Sequence, residues 1–527
     1  MNTYAFLYAG ALSSFADKKL FDGLSAREKT RLWAQNLAHC AGVEILDTPL
    51  TVSELLHKMD AVLSKKHADH AVFSWADCPF LNAGISERLV SLHTRYAAEY
   101  TFADGYPYGF APEVLAAGTV RILAALADSK PDAGNVSVGR ESIFELIKTD
   151  INSFEIETFI SARDYRYLRL NLSCSSKRDT LACTRLFSLM QNAANVHADD
   201  GIDADAVCDL AAKSAEVQRT FPAFYNVQIC TSYAESDKKA QNGMSCIYEP
   251  IVPKKLSLPE FMDVKDFERF IDKAFDFSDD AVIGLSFLGD PVYHPQFTDF
   301  ARAVLRHPNF SLLIETDGQT LDEHTARTIL SFAPENPLRI TGYPAVNWII
   351  KLDAADKDGY EKLHPGKSFE RAVHTVEFLQ ALFPRAVYPQ LVRMKCNENQ
   401  LEHFFRQWKA DGSGNLIVQK YDPVSGFLKD ERTADLSPAV RTPCWHIKRD
   451  VCVLSDGSVP RCKAAVFAAG SGSHCAVGSE TSGFYGNVFT EELQTLWERG
   501  TFKLQEQLDG IYSDQCGTSD EYYTFNF

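Results

Sequence analysis

Apolar and polar positions divide the chain into three stretches of different rhythm. From residue 1 to 195, short apolar runs alternate with helical stretches: residues 4–8 and 71–75 read as buried strands, and residues 85–96, after Asp77-Cys78-Pro79, as a helix. That alternation predicts a parallel sheet flanked by helices. Ligands of such sheets gather at the carboxyl ends of strands, where Asp77 falls. From 220 to 440 the chain repeats a strand-then-helix unit, with strands expected at 225–230, 281–287, 311–315, 348–352, 387–394 and 416–421 and helices such as 297–305 and 369–382 between them. These strands are apolar on both faces, as buried parallel strands are. Six units suffice for a partial (β/α) barrel with functional groups on the loops after the strands.

The third stretch, 441–527, alternates around Asp456-Gly457, a pair that favours a two-residue hairpin turn. In that register Cys452 faces Arg461 and Val451 faces Cys462, so Cys452 and Cys462 fall on opposite sheet faces. Thr490 is placed to cap a helix with Glu491 and Glu492 in its first turn and Leu493, Leu496, Trp497, Leu504 and Leu508 on one face. The aromatic tail, 520–527, is expected to dock and be ordered.

Composition narrows the function classes. A length of 527 residues predicts about three domains, here 1–195, 220–440 and 441–527. The formal net charge of −17 offers no general attraction to phosphate backbones or anionic lipid, so no nucleic-acid or membrane partner is expected. Residues 1–16 are uncharged but lack a basic n-region and a cleavage site, and are too short to span a bilayer. The 13 scattered cysteines do not form a secreted disulfide pattern, which predicts a cytoplasmic protein.

Chemistry concentrates at strand ends. Gly289-Asp290-Pro291 follows the second barrel strand, Glu315-Thr316-Asp317-Gly318 ends the third, and Asp353 ends the fourth. Each alone is a common strand-terminal turn. In this order they resemble the radical SAM core, in which a Gly-Glu-Pro turn receives the amino group of S-adenosylmethionine. The resemblance implies a SAM site at Gly289, Asp290, Pro291, Glu315 and Asp353. The radical SAM signature Cys-x-x-x-Cys-x-x-Cys, whose three thiolates leave one iron open for the cofactor, is absent: Cys230 ends the first strand and the next cysteine is Cys246.

Near the C-terminus, Pro443-Cys444-Trp445-His446, then Gly457 to Cys462, Gly486-Asn487 and Cys516-Gly517-Thr518-Ser519 follow one another. Taken alone, Cys444, Cys462 and Cys516 are buried cysteines or a tetrahedral zinc site completed by His446 or Cys475. Their order resembles the SPASM domain, the auxiliary iron–sulfur module of many radical SAM enzymes, and implies a [4Fe–4S] cluster on Cys444, Cys462 and Cys516. Clusters are held mainly by cysteine, ideally four per cubane, and Ser519 stands where the last is expected. The fourth ligand is then Cys475, in the Gly/Ser-rich loop 470–483, with His474 beside it.

In the first stretch, Asp77-Cys78-Pro79, then Asp104 to Phe110, Glu113-Val114 and Leu168 to Ser173 before Asp179 resemble sugar-activating nucleotidyltransferases, in which two aspartates hold Mg²⁺ against a triphosphate. Asp77 matches the first aspartate and Ser173 replaces the second, while the phosphate loop keeps only Gly10. The fold is expected to survive and the catalysis to be lost.

The three stretches in this order, with Asp435-Leu436-Ser437-Pro438 before Arg441-Thr442-Pro443-Cys444, resemble the spiro-SPASM proteins of spirochaetes. The expected architecture is an α/β chain: an N-terminal nucleotidyltransferase-like, Rossmann-like domain, a partial (β/α) barrel of radical SAM type and a C-terminal SPASM-like domain. The expected function is a catalytically degenerate binding or accessory protein, with a peptide or protein partner, that holds an auxiliary cluster. The alternatives are an active radical SAM enzyme modifying a peptide or nucleotide-linked sugar, and a Mg²⁺-dependent sugar nucleotidyltransferase.

Overall fold

Every side chain of Thr3–Tyr8 (β1) is buried, as happens when both faces of a sheet are covered. With it run β2 (Cys40–Leu46), β3 (His70–Trp75), β4 (Tyr100–Asp104), β5 (Glu113–Ala116) and β6 (Ile156–Ile160), in the sheet order 2-1-3-5-4-6. Helices Ala26–Gln35 and Val52–Lys66 begin at capping boxes: Ser25 and Thr51 accept the backbone N–H of Glu28 and Glu54, whose carboxylates bond back. The all-parallel sheet expected here is corrected at β5, which runs antiparallel to β3 and β4. Residues 105–112 between β4 and β5 are too few for a parallel crossover, which takes about a dozen residues or more. The chain therefore turns back on itself.

The structure, a computed structural model, describes residues 2–130, 134–193, 197–198, 201–231, 244–409, 415–470 and 483–524. They fold as two units, Met1–Thr220 and Phe221–Phe527. Among the described residues no helix is long and apolar enough to cross a membrane.

The second unit is built on β7 (Phe224–Val227), β8 (Ala281–Gly284), β9 (Phe310–Thr316), β10 (Val346–Lys351), β11 (Val387–Arg393) and β12 (Ile417–Lys420). All six expected strands are present, parallel and in consecutive order, as in a partial (β/α) barrel. The two strand faces differ. Val227, Ile283, Leu312, Ile314, Trp348 and Ile350 meet the surrounding helices in one core. On the interior face Phe224, Val282, Leu313 and Ile349 form a small apolar layer, and polar groups follow it toward the carboxyl ends.

The C-terminal stretch joins this sheet instead of standing apart from it. Asp450–Val453 (β13) lies parallel beside β7, pairing Cys452 with Asn226, and makes the sheet seven-stranded. The expected hairpin ladder is therefore corrected. A tight turn does form, with the Gly457 N–H donating to the Leu454 carbonyl at 2.8 Å. Beyond it, Ser458–Pro460 (β14) leaves to pair antiparallel with Phe484–Asn487 (β15). The free edge of β7 offers unpaired backbone groups, and Val451 and Val453 have the spacing that enters the helix-side core. This puts Asp450 and Cys452 on the interior face. Helix Leu493–Leu508 buries Leu493, Leu496, Trp497 and Leu504, as its spacing predicts, but it starts later than expected: Glu492 is its N-cap, so Thr490 does not cap it and its first turn carries no acid. The tail is described as far as Thr524, and residues 525–527 lie outside the described residues.

Candidate functional site

The carboxyl ends of the barrel strands enclose a cavity of about 280 Å³. Its barrel wall carries Asn226, Glu315, Gln390 and Gln419, and its other wall carries Arg449, Cys452, Cys462 and Ser519 from the C-terminal stretch. Lys351, the last residue of β10, is buried and ion-paired with Glu249, and lies 3.8 Å from Glu315. Burial pushes the Glu315 carboxyl up, and Lys351 opposes that shift. At Glu249 the net direction reverses: burial is again the largest effect and raises it, but Lys351, by charge and hydrogen bond, with Lys367 and Lys463 brings it below its ordinary value.

The residues expected to receive S-adenosylmethionine are engaged by their own chain. Gly289 sits against the Cys230 carbonyl oxygen, with no room for a Cβ. The buried Asp290 accepts the Thr316 hydroxyl at 2.8 Å and the Asp317 N–H at 2.9 Å on one oxygen, and the Val292 N–H at 3.1 Å on the other. Burial first, and then the neighbouring Asp317, hold its carboxyl above the usual range. Pro291 starts the short turn Pro291–Tyr293 and is buried. Asp353 is sealed from water, and its oxygens accept from the Tyr248 hydroxyl at 2.6 Å, His364 Nε2 at 2.9 Å and the Val392 N–H at 2.7 Å. Asp290 and Asp353 therefore act as internal staples between loops.

Cys230 and Cys246 belong to different cores. The Cys246 sulfur lies 3.8 Å from a Glu249 oxygen, and burial, then Glu249 and Asp353, raise its thiol well above the ordinary range. Ser232 to Glu235 lie outside the described residues.

In the C-terminal stretch, Cys444 stands at the N-cap of helix Trp445–Arg449 without a side-chain cap bond, and its backbone N–H donates to Gln507 at 2.9 Å. Cys462 precedes helix Lys463–Gly470, and its carbonyl accepts the Ala465 N–H at 3.2 Å. Burial pushes the Cys444 thiol up to about 12, with Cys462 and Cys516 adding to it. Arg441 fixes the turn around Cys516, donating to the carbonyls of Cys516, Gly517 at 3.2 Å and Ser519 at 2.8 Å. The Ser519 hydroxyl accepts the Glu521 N–H at 3.2 Å. Cys475 and His474 lie outside the described residues.

Among the described residues, one set of three potential ligands lies within 4.8 Å, namely Asp422, Asp520 and Glu521. Lys420 meets Asp520 at 3.0 Å and Glu521 at 2.8 Å, and Arg432 meets Asp520 at 2.9 Å. The set already holds its counter-charges.

In the first unit Asp77 is fully buried and clamped by Arg140, whose Nη1 and Nη2 reach its two oxygens at 3.1 and 2.6 Å. The guanidinium also lies over the Trp75 ring at 4.4 Å. Ser173 donates to Asn171 at 2.8 Å. A cation already occupies both oxygens of the one matching aspartate, so these residues do not fit Mg²⁺. Nothing local to Asp77 points to Arg140, which lies 63 residues further along the chain. Lys351 did leave a signal, as a lone charge at the end of an apolar run.

A Treponema pallidum (strain Nichols) protein described as uncharacterized is 37% identical over 392 residues, which cover 73% of this chain and 98% of that protein. The chain belongs to its family. A second uncharacterized protein of this T. pallidum strain is 49% identical over 51 residues, 10% of the chain and 23% of that protein. No family model matches. Solved structures superpose loosely on this member of the T. pallidum family. Streptococcus suis SuiB bound to precursor peptide SuiA has a TM-score of 0.39 at 14% identity, covering 63% of this chain and 80% of SuiB. Native anSMEcpe with bound AdoMet has a TM-score of 0.37 at 12% identity, covering 54% and 82%. A Leptospira borgpetersenii cytidylyltransferase has a TM-score of 0.33 at 12% identity, covering 42% and 96%.

Proposed function

We propose that this chain is a binding or accessory protein of spiro-SPASM type, built on a radical-SAM-like barrel that no longer cleaves S-adenosylmethionine and carrying an auxiliary iron–sulfur cluster in its SPASM-like C-terminal stretch. One observation carries the loss of cleavage. Asp290 and Asp353, where the cofactor would be received, are saturated by Thr316, Asp317, Val292, Tyr248, His364 and Val392. A cofactor would have to displace these bonds, and breaking a buried hydrogen-bond set costs about 1–3 kcal/mol per orphaned group. The missing cysteine triplet supports the same reading, because no three-thiolate turn follows β7.

The cluster reading is supported by Cys452 and Cys462, which line one wall of the cavity together with Ser519 from the turn that carries Cys516. It is also supported by Arg461. Its Nε is shut off from water and has no hydrogen-bond partner among the described residues, and the side chain lies near Cys462 and Cys516. An anionic thiolate cluster would supply the charge this guanidinium lacks. When bound, such a cluster offers electron transfer or a ligation point beside the cavity. Both signs of charge line that cavity, with Glu315 on one wall and Arg449 on the other, which suits a peptide segment that carries both an acidic and a basic group.

Calorimetric titration of the iron-loaded, anaerobic chain with S-adenosylmethionine tests the degeneracy. The expected result is no saturable heat up to millimolar cofactor. Saturable binding that Asp353→Asn weakens would refute it.

A further inference from the structure

We propose that Cys452 is the fourth thiolate of the C-terminal site, completing with Cys444, Cys462 and Cys516 a four-cysteine set for a [4Fe–4S] cluster and filling the place that Ser519 leaves without a sulfur. The inference rests on the cluster reading above and names its missing ligand.

The pairing of β13 is the first argument. Because β13 runs parallel to β7 instead of folding back on β14, its alternation sends Val451 and Val453 into the helix-side core and leaves Cys452 on the interior face. Cys452 and Cys462 thus line one cavity wall, where a simple hairpin would have separated them. Ser519, which ends the short helix carrying Cys516, lines the same cavity.

Spacing decides between a single ion and a cluster. A tetrahedral zinc with Zn–S bonds of about 2.3 Å holds its sulfurs about 3.8 Å apart. Among the described residues no three Cys or His donors lie within 4.8 Å of one another. No three of the four thiols therefore sit at single-zinc spacing, and a polynuclear cluster is the centre that keeps its ligands farther apart.

Buried charges are normally paired. Arg461 is half-buried with an orphaned Nε, and no ion pair links it to a carboxylate among the described residues. The groups that weigh on it are Cys516, Tyr485, Cys462 and Glu506, and Glu506 is itself bound to Lys503 at 3.0 Å. Four thiolates around iron would place the missing negative charge beside it.

The test is iron and acid-labile sulfide per chain, with visible and electron paramagnetic resonance spectra, on the full chain purified without oxygen. The wild type is expected to carry about four of each per chain. Cys452→Ala is expected to lose at least one iron and change the resonance spectrum, and Cys452→Ser to keep a perturbed cluster, whereas Ser519→Ala and Cys475→Ala match the wild type. A fully loaded Cys452→Ala with an unchanged spectrum, or loss confined to Cys475→Ala, overturns the assignment and leaves the cluster standing. An iron-free wild type overturns the cluster itself. Thiol alkylation of the wild type gives a readout independent of variant folding. Cys452 should be protected together with Cys444, Cys462 and Cys516 until a chelator strips the iron, and equal labelling of Cys452 before and after stripping contradicts the proposal.

Discussion

Asp353 has a left-handed backbone, with φ of 59°, and no solvent exposure, yet both of its oxygens are in use. A carboxylate so placed is structural, and its meaning lies in its partners. The sequence marked Asp353 as a strand-end acid but gave no sign of Tyr248 or His364, which reach it from separate loops. Glu113 makes a comparable point in the first unit. Burial lifts its carboxyl, a hydrogen bond with Tyr100 opposes this, and Glu141 adds to it, leaving the group at about 8 instead of 4.5. A folded value raised above the unfolded one means that the native state binds more protons between the two. Its contribution is therefore complete below pH 4.5 and is lost as pH rises through about 8. Urea midpoints of the full chain should fall across that window, and Glu113→Gln should flatten the fall. An unchanged slope in the variant would assign the pH dependence to other groups.

At the scale of elements, the strands were the readable part. Six continuous apolar runs became six parallel strands because burial on both faces leaves no polar position to interrupt them. Two elements departed from the reading for the same reason: pairing partners are chosen by the sheet and not by the local pattern. β5 reverses because its connection is short, and β13 leaves its hairpin because β7 has a free edge. The second departure matters chemically, since it moves Cys452 from the wrong face to the cavity. Loop packing was likewise hidden. Gly289 looked like part of a cofactor motif, but here the glycine is required because the Cys230 carbonyl fills the space of a side chain. Gly289→Ala is expected to cost about 1–3 kcal/mol, the usual range for overpacking, read as a lower urea midpoint with an unchanged slope. A cost near zero would show that the two loops separate freely.

Over the whole chain, the sequence conveyed architecture better than activity. A binding scaffold and an enzyme of one fold differ at a few side chains whose partners come from distant segments: Arg140 for Asp77, Tyr248 for Asp353, Lys351 for Glu249. Such pairs follow no local period and become visible only once the chain is folded. In both units the groups that matched catalytic patterns are spent on ion pairs and hydrogen bonds that hold loops in place. The most direct test of this central claim is product analysis of the iron-reconstituted, anaerobic full chain incubated with S-adenosylmethionine and dithionite. No cofactor cleavage above a protein-free control is expected. Cleavage beyond one equivalent per chain would contradict it and show that the barrel still activates its cofactor.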